Sequence, residues 1–370
     1  MGNTPNIRFK GFTDDWEQRK FPEFVSFYNG LTYTPNDIQE MGTLVLRSSN
    51  VKNGEIVDAD NVYVNDKVAT SENVQVGDII VVVRNGSRAL IGKHAQIKAS
   101  MPNTVIGAFM SGIRSGQSSF VNALLDTSAF ENEIAKNMGA TINQITGYMF
   151  SKMEFMVPSE EEQQQIGQYF SNLDHLITLH QRKCDETKKL KKFMLQKMFP
   201  KKNEKKPEIR FAGFTDDWEQ RKLVDVVDVR SGRDYKHLEE GDIPVYGTGG
   251  YMLSVNEALS DDEDAIGIGR KGTIDNPYIL RAPFWTVDTL FYAVPLDKYD
   301  LNFVFDIFQN VNWKAKDEST GVPSLSKATI NAVETLMPEY AEQKKIGEYF
   351  SNLDNFITLH QRKSFFIFSI

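Results

Sequence analysis

The sequence predicts a mixed α+β protein of two related halves, separated by long helices that pair as a coiled coil. Three observations predict this fold class. A short segment near the start returns in the second half, a segment with a helical pattern is also duplicated, and the stretches between these markers are rich in β-branched residues and turns. At roughly 150 residues per domain, the chain is long enough for two such halves.

Two pairs of segments carry the duplication. Ile7–Lys20 and Ile209–Lys222 differ at a single position, where Lys10 is replaced by Ala212. Gln163–Lys183 and Gln343–Lys363 differ at five of 21 positions. The stretches between them share almost no run of identical residues. Fixed ends around a varied middle indicate a common framework that holds two readers of different targets.

The duplicated segment that follows each variable stretch is predicted to be a helix. Pro158 ends a strand-like run, and Ser159 with Glu162 forms a possible capping box. A helix from Ser159 to Phe199 would be roughly 60 Å long at 1.5 Å per residue. Apolar residues recur in steps of four and three, the spacing of a coiled-coil seam, although a core helix within its own domain is the alternative. The predicted partner-binding seam is Ile166, Phe170, Leu173, Ile177, Ile346, Phe350, Leu353 and Ile357.

A basic segment follows the first helix. Gln181–Lys206 contains eleven Lys or Arg residues and three acidic residues. Such a segment is typical of a solvated helix end and linker, and a patch that contacts phosphates or a partner is the alternative.

The variable stretches read as mixed α/β. The strand predictions are Leu44–Arg47, Val62–Val64, Asp78–Arg84 and Phe150–Val157 in the first, and Ile243–Tyr246, Ala265–Gly269, Phe284–Val287 and Leu290–Val294 in the second. The helix predictions are Ser128–Lys136 and Asn302–Trp313.

The two variable stretches resemble each other at the end of one strand. In each, an apolar strand ends in Arg-x-Gly followed by Ser or Thr, with Arg84 aligned to Arg270. An arginine fork can bind guanine or phosphate, and loop hydroxyls suit phosphate oxygens, so we expect DNA contacts here. A hairpin turn with an exposed arginine is the alternative. The candidate DNA-binding residues are Arg84, Asn85, Ser87, Arg88, Lys93, Arg270, Lys271 and Thr273.

Several function classes are disfavoured by composition and motifs. The net charge is −8, which argues against a uniformly basic DNA-coating protein, and the single cysteine, Cys184, favours a reducing cytoplasm. No apolar run reaches the length of a membrane span. Gly267-x-Gly269-x-x-Gly272 is followed by a turn instead of a helix, so no dinucleotide site is expected. We expect no metal, no cofactor and no catalytic residue.

The layout resembles the DNA specificity subunit of type I restriction–modification systems. The resemblance covers Ile7 to Lys363, and order and spacing match as well as single motifs. Its strings are Gly11–Lys20, Glu162–Ile166, Gly213–Lys222, Tyr246–Tyr251, Ile268–Thr273, Thr320–Ser326 and Glu342–Ile346. In the first variable stretch, Gly139–Ile145 replaces the Gly-Val-Pro-Ser-Leu-Ser string, a departure from the family pattern.

The resemblance implies a division of labour. Two target recognition domains would each read one half of a split site in double-stranded DNA, and the duplicated helices would pack antiparallel as a spacer. The partners would be two methyltransferase subunits and two translocase–nuclease restriction subunits, so that the chain itself would be a non-catalytic subunit without a cofactor.

The implied domains are 1–158 (N-terminal segment and recognition domain 1), 159–206 (central helix and basic linker), 207–338 (recognition domain 2) and 339–370 (distal helix). The apolar end Ser364–Ile370 departs from the first copy and indicates a truncated distal helix. Two alternatives stay open: a self-sufficient enzyme with a degenerate motif, and a truncated, non-productive subunit that acts only as an interaction or decoy protein.

Overall fold

The computed structural model describes residues 5–138 and 143–368, with side chains described as far as residue 362. The chain divides into two compact units, Met1–Leu176 and Ile177–Ile370, and each mixes helices with small sheets. This confirms the predicted α+β class. The division falls inside the long central helix, whereas the domain bounds predicted above begin a new segment at residue 159. The side chains of the predicted truncated end and most of Gly139–Ile145 lie outside the described residues.

The first unit is built from three sheets and one short hairpin. One ladder pairs the first strand of the unit with the last, and a four-stranded antiparallel sheet lies at the centre. A second four-stranded sheet is mixed, because Thr104–Ile106 runs parallel to Thr43–Leu46. The strands are Glu17–Lys20, Ser26–Asn29, Ile38–Gln39, Thr43–Leu46, Val51–Lys52, Glu55–Ile56, Val62–Val64, Ile79–Val82, His94–Gln96, Thr104–Ile106, Met110–Arg114 and Glu154–Val157.

The central strand of the first unit, Ile79–Val82, is buried on both faces. Ile79 and Val81 belong to the hydrophobic core that the helices cover, and Ile80 and Val82 belong to the core beneath the mixed sheet. Successive side chains of a strand point to opposite faces, so an uninterrupted run of β-branched residues fits a strand between two cores. The predicted strand over Asp78–Arg84 is confirmed in its middle four residues.

Four helices are associated with the first unit: α1 (Ser118–Leu125), α2 (Ser128–Asn137), α3 (Gly147–Lys152) and the first part of α4 (Glu160–Lys197). The predicted helix over Ser128–Lys136 is confirmed. The predicted strand over Phe150–Val157 is wrong in its first half, because Phe150 lies in α3. The Thr146 hydroxyl accepts a hydrogen bond from the Met149 N–H at 3.3 Å, and this N-cap favours a helical turn before the strand begins at Glu154.

The second unit repeats the ladder and the four-stranded antiparallel sheet and adds a three-stranded sheet. Its strands are Glu219–Lys222, Val227–Ser231, Glu240–Gly247, Gly250–Val255, Ala265–Gly269, Tyr278–Leu280, Trp285–Thr286, Leu290–Pro295 and Glu334–Met337. The predicted strands are confirmed, although Phe284–Val287 contributes only its two central residues. Its helices are α5 (Leu301–Asn310), α6 (Lys327–Asn331) and α7 (Tyr340–Phe368). The helix predicted over Asn302–Trp313 ends at Asn310, and Trp313–Lys316 forms a separate 3-10 turn.

Within the second unit, the C-terminal part of α4 packs antiparallel against α7. The Nδ1 atoms of His180 and His360 lie 2.8 Å apart, and the Lys191 ammonium donates to both carboxylate oxygens of Asp354 at 2.6 and 2.7 Å. His180 contacts His360, and Lys191, later in α4, contacts Asp354, earlier in α7, so the two helices are antiparallel. The 38 residues of α4 span about 57 Å at 1.5 Å per residue.

The duplicated N-terminal segments clamp the starts of the long helices. Arg8 donates to both carboxylate oxygens of Glu162 at 2.7 Å, and Arg210 binds Glu342 in the same way at 2.7 Å. Both carboxylates are almost fully buried. The predicted capping box is therefore only half formed: the Ser159 hydroxyl accepts from the Glu162 N–H, but the Glu162 carboxylate is held by arginine.

A glycine in each long helix permits a close helix contact. A Cβ at Gly167 of α4 would lie 2.6 Å from the Phe120 nitrogen of α1, and a Cβ at Gly347 of α7 would lie 2.7 Å from the Phe303 nitrogen of α5. Any larger residue would push the two helices apart. These contacts also establish that α1 and α5 are equivalent elements.

Candidate nucleic-acid interface

The two candidate loops leave equivalent strands, one in each unit. In the first unit, the N–H groups of Val83 and Arg84 both donate to the Phe109 carbonyl at 2.9 and 3.2 Å. In the second, those of Arg270 and Lys271 both donate to the Thr289 carbonyl at 2.8 and 3.3 Å. This pairing makes Arg84 equivalent to Lys271, and Val83 equivalent to Arg270.

Contacts on the other side of each loop give the same equivalence. Arg84 forms an antiparallel bridge with Gln144, and Lys271 forms one with Ser324. The Ile145 N–H donates to the Val83 carbonyl at 2.8 Å, and the Leu325 N–H donates to the Arg270 carbonyl at 2.9 Å. The predicted alignment of Arg84 with Arg270 is therefore wrong by one residue.

A shift of one residue matters because the side-chain period of a strand is two. Arg84 and Lys271 occupy one register position in their units, whereas Arg270 occupies that of Val83. Val83 is buried in the core and Arg270 is exposed. The sequence alignment rests on the string Arg-x-Gly followed by Ser or Thr, and relative to the hydrogen bonds this string begins one position later in the first unit than in the second.

The two arginines differ in their surroundings. The Arg84 guanidinium carbon lies 5.1 Å from the ring centroid of Phe109, which is 56% exposed. An exposed arginine over an exposed ring offers a flat cationic surface of the kind that contacts bases and phosphates. Arg270 donates to the Asp288 carbonyl at 3.3 Å and lies 5.8 Å from the Phe291 ring.

The other candidates of the first unit converge on Ser48. Asn85 donates from its side-chain amide to the Ser48 hydroxyl at 3.3 Å, and Lys93 donates to the Ser48 carbonyl at 3.4 Å. The Ser87 N–H donates to the Asn85 side-chain oxygen at 3.0 Å, a bond that tightens the turn, and Arg88 begins the next short helical turn. Neither Ser48 nor Phe109 was identified from the sequence, since both approach the loop from distant parts of the chain.

In the second unit, the candidate loop lies beside a hairpin tip. Lys271 and Thr273 are exposed, and a Cβ at Gly272 would lie 3.9 Å from the Thr248 hydroxyl. Thr248 lines an open hollow of about 730 Å³, together with Lys236, Tyr251 and Asp288. Tyr251, in the same hairpin as Thr248, is 62% exposed.

A buried ion cluster anchors the start of the strand that leads to Arg84. Arg114 donates to both carboxylate oxygens of Asp78 at 2.8 and 2.9 Å, and the Tyr28 hydroxyl and the Gln75 N–H add further hydrogen bonds. Burial alone would raise the pKa of Asp78, but these donors hold the pKa of that carboxyl below its ordinary value. The position of the candidate loop therefore depends on this cluster.

The predicted partner-binding seam does not form one open surface. Ile346 and Phe350 lie in the core of the second unit, Ile177 is buried, and Ile166 packs against the core of the first unit. Leu173, Leu353 and Ile357 are half-buried, and Phe170 is 45% exposed. Up to residue 362, where the described side chains end, the large apolar side chains that α4 and α7 expose are Tyr169, Phe170, Leu176, Leu190, Phe193, Tyr340, Phe356 and Leu359.

Two further findings concern the described residues. They contain no helix that combines the length and the apolar character of a membrane span. Across 5–138 and 143–368, no three His, Cys, Asp or Glu side chains group in a way that could hold a metal ion.

Comparison with known proteins agrees with the internal duplication. The family model described as the type I restriction modification DNA specificity domain matches residues 13–189 and, a second time, residues 215–364. The chain belongs to this family. The two matches contain the two candidate loops, so each loop lies in its own copy of the specificity domain.

Individual relatives are more distant. The type I restriction enzyme MjaVIII specificity subunit of Methanocaldococcus jannaschii is 24% identical over 271 residues, which cover 62% of each chain. The EcoKI specificity subunit of Escherichia coli is 24% identical over 169 residues, 43% of this chain and 36% of the relative. The chain thus matches less than two thirds of the length of these relatives.

A solved structure shows the same fold. The crystal structure of a type I restriction–modification S subunit from M. genitalium superposes with a TM-score of 0.74, covering 99% of this chain and 96% of that chain at 16% identity. At this identity the similarity concerns the fold alone.

Proposed function

We propose that this chain is a specificity subunit that recognises a bipartite site in double-stranded DNA, each unit reading one half. It directs methyltransferase subunits and restriction translocase–nuclease subunits, two of each, to that site. The chain itself is not catalytic and needs no cofactor, and it works in the cytoplasm. The chemistry of methylation and cleavage belongs to the partner subunits.

One observation carries this proposal: the two units place a cationic loop at the same point of the same sheet, within otherwise dissimilar sequence. Arg84 and Lys271 each bridge to a second loop, and Arg84 lies over the exposed ring of Phe109. A common framework with differing loops is what a reader of two different half-sites requires. Contacts of loop cations with phosphates and base edges would supply the binding.

The methylated sequence of cellular DNA tests the proposal. We expect that cells expressing this chain with its methyltransferase subunit carry methylation at one split, asymmetric motif that is absent without the chain. A complex that forms but methylates no specific sequence would contradict the proposal and favour the decoy alternative. Methyl transfer or cleavage by the isolated chain would instead favour a self-sufficient enzyme.

Removing the two equivalent cations should weaken DNA binding. We expect Arg84→Ala and Lys271→Ala each to cost about 1–3 kcal/mol of binding free energy if the side chain reads a base, with relaxed discrimination at one position. If it contacts only phosphate, binding should weaken evenly across sequences, and the salt dependence should become shallower. Titration of labelled target DNA at several salt concentrations measures both quantities.

Matched controls come from the framework. Arg19→Ala and Arg221→Ala remove exposed, acid-paired arginines of the duplicated ladder, and we expect them to leave DNA binding unchanged. Arg270→Ala tests the register position of Val83, because the sequence also predicts a DNA contact for Arg270. Full binding by both Arg84→Ala and Lys271→Ala would remove the loops from the interface.

A further inference from the structure

An open groove of about 350 Å³ runs along the seam between α5 and α7 in the second unit. One wall is the face of α5 that carries Asn302, Phe305, Asp306 and Gln309, and the other is a face of α7 that carries Asp354 and Ile357. The groove lies away from the candidate DNA loop, and nothing in DNA recognition accounts for the polar groups in it.

The α5 wall carries acceptors that have no donors. Oδ1 of Asn302, Oδ2 of Asp306 and Oε1 of Gln309 are buried oxygens without a hydrogen-bond partner among the described residues. The three residues are four and three positions apart, so they lie one above another on one side of the helix. Asp306 is 1% exposed, and a carboxylate at that burial normally has a cation or several donors as partners.

Asp306 also leaves the charge of the groove unbalanced. Of the other charged side chains that line it, Arg281 forms an ion pair with Asp264, and Asp354 forms one with Lys191. Burial raises the pKa of Asp306 well above its ordinary value; the Lys191 ammonium opposes this shift, and the carboxylates of Asp354 and Asp300 add to it. The Asp306 carboxyl therefore holds a proton unless a cation replaces it.

The spacing of the three acceptors argues against a metal ion as their common ligand. At 1.5 Å per residue, Asn302 and Gln309 are about 10 Å apart along α5, whereas oxygen ligands lie about 2.0–2.6 Å from Mg²⁺ or Ca²⁺. The successive steps are about 6 Å from Asn302 to Asp306 and about 4.5 Å from Asp306 to Gln309. Such a column suits a linear ligand that has several N–H donors.

Apolar side chains line the same groove. They are Phe305 on α5, Ile357 on α7 and Ile279 at the edge of the neighbouring sheet. An extended four-carbon diamine places its nitrogens about 6 Å apart, and a three-carbon diamine about 5 Å, at bond lengths of about 1.5 Å. The methylene groups of such a chain can contact apolar side chains while its ammonium groups, which are donors only, bind oxygens.

We propose that the groove between α5 and α7 binds an aliphatic polyamine, an extended diamine or triamine whose ammonium groups donate to Asn302, Asp306 and Gln309. One ammonium takes the place of the proton on Asp306, and that proton leaves to the solvent. The site stands independently of DNA recognition.

Calorimetry on the full-length chain, freed of nucleic acid, tests the groove with spermidine, 1,4-diaminobutane and n-butylamine as probes. We expect saturable binding of spermidine, weaker binding of 1,4-diaminobutane and no saturable binding of n-butylamine. Titrations in two buffers of different ionisation enthalpy should show that spermidine binding releases a proton. Asp306→Asn should abolish the proton release and weaken binding about tenfold or more, the effect of losing one charge-assisted hydrogen bond.

Neighbouring positions of α5 provide the matched control. Gln309→Ala should weaken spermidine binding and keep the proton release, whereas Asn310→Ala, at an exposed residue that lines a different hollow, should change neither. Circular dichroism with a thermal melt confirms that each variant is folded. Equal losses in Gln309→Ala and Asn310→Ala would overturn the proposal.

Diffuse attraction of cations to a chain of net charge −8 is the main competing explanation for binding. Displacement of spermidine by Mg²⁺ at constant ionic strength, or equal affinity of the wild type and Asp306→Asn, would therefore overturn the assignment to the groove. Absence of saturable spermidine binding, or equally tight binding of n-butylamine, would overturn it as well.

Discussion

Replacing Asp78 with asparagine is expected to lower the free energy of unfolding of the first unit by about 3 kcal/mol, because breaking a buried ion pair leaves its partner without compensation. Asp78 is 1% exposed and binds Arg114 through both carboxylate oxygens. An amide cannot accept the same pair of charge-assisted bonds and turns an N–H₂ group toward a donor. Urea unfolding at neutral pH, followed by circular dichroism, measures the loss.

The control for this substitution is an ion pair at the surface. Asp60 binds Arg47 at 2.7 Å but is 75% exposed, and we expect Asp60→Asn to cost less than about 1 kcal/mol. Equal destabilisation by the two substitutions would show that burial of the Asp78 cluster does not determine its contribution.

The contribution of the Asp78 ion cluster to stability should depend on pH. The pKa of Asp78 is lower in the folded than in the unfolded protein, so its contribution is fully present above the unfolded value of about 3.9. This contribution to the unfolding free energy is lost as the pH falls through the pKa that Asp78 has in the folded protein. The difference in unfolding free energy between the wild type and Asp78→Asn should therefore shrink below about pH 4. A difference that is independent of pH down to the acid transition would contradict this assignment.

The sequence predicted most of the framework because the framework is duplicated. The duplicated segments identified the long helices. The pairing of Arg8 and Arg210 with a glutamate at the start of each long helix was visible only in the structure. The strand at Ile79–Val82 was predictable from a run of β-branched residues between turns. Around Phe150 the prediction was wrong, because one threonine cap decides between helix and strand in a short apolar stretch.

The candidate site was less predictable than the fold. The loop residues were identified from their chemistry, but their register depends on hydrogen bonds to Phe109 and Thr289, which are distant in sequence. The heptad pattern predicted the long helices correctly. It could not distinguish residues that face a partner from residues such as Phe350 that enter a domain core, because both kinds recur with the same period.

Exchanging one variable segment should change one half of the recognised DNA sequence and leave the other half intact. The structure makes residues 21–158 a separable cassette. The strand just before the segment, Glu17–Lys20, pairs with the strand at its end, Glu154–Val157, so the chain enters and leaves the segment on one ladder. Glu219–Lys222 pairs with Glu334–Met337 in the same way in the second unit. The Arg8–Glu162 clamp lies outside the segment and stays with the host chain.

The exchanged segment contains the aromatic core of the first unit. Phe21, which is fully buried, contacts the rings of Phe24, Phe27, Phe150 and Phe155, and all five residues lie within 21–158. A cassette from another member of the family should therefore bring its own core and fold on the host framework. We expect the methylated motif of cells carrying the exchanged chain to combine the donor's first half-site with the host's second.

The reciprocal exchange of the segment between Lys222 and Glu334 is the matched control, and it should change the other half-site only. An exchanged chain that is folded and binds its methyltransferase, yet methylates a motif altered in both halves, would contradict two independent readers. Such a result would mean that the loop of Arg84 and the loop of Lys271 each read DNA only together with the other unit. The structure gives no physical reason for that dependence, because each unit is closed by its own ladder.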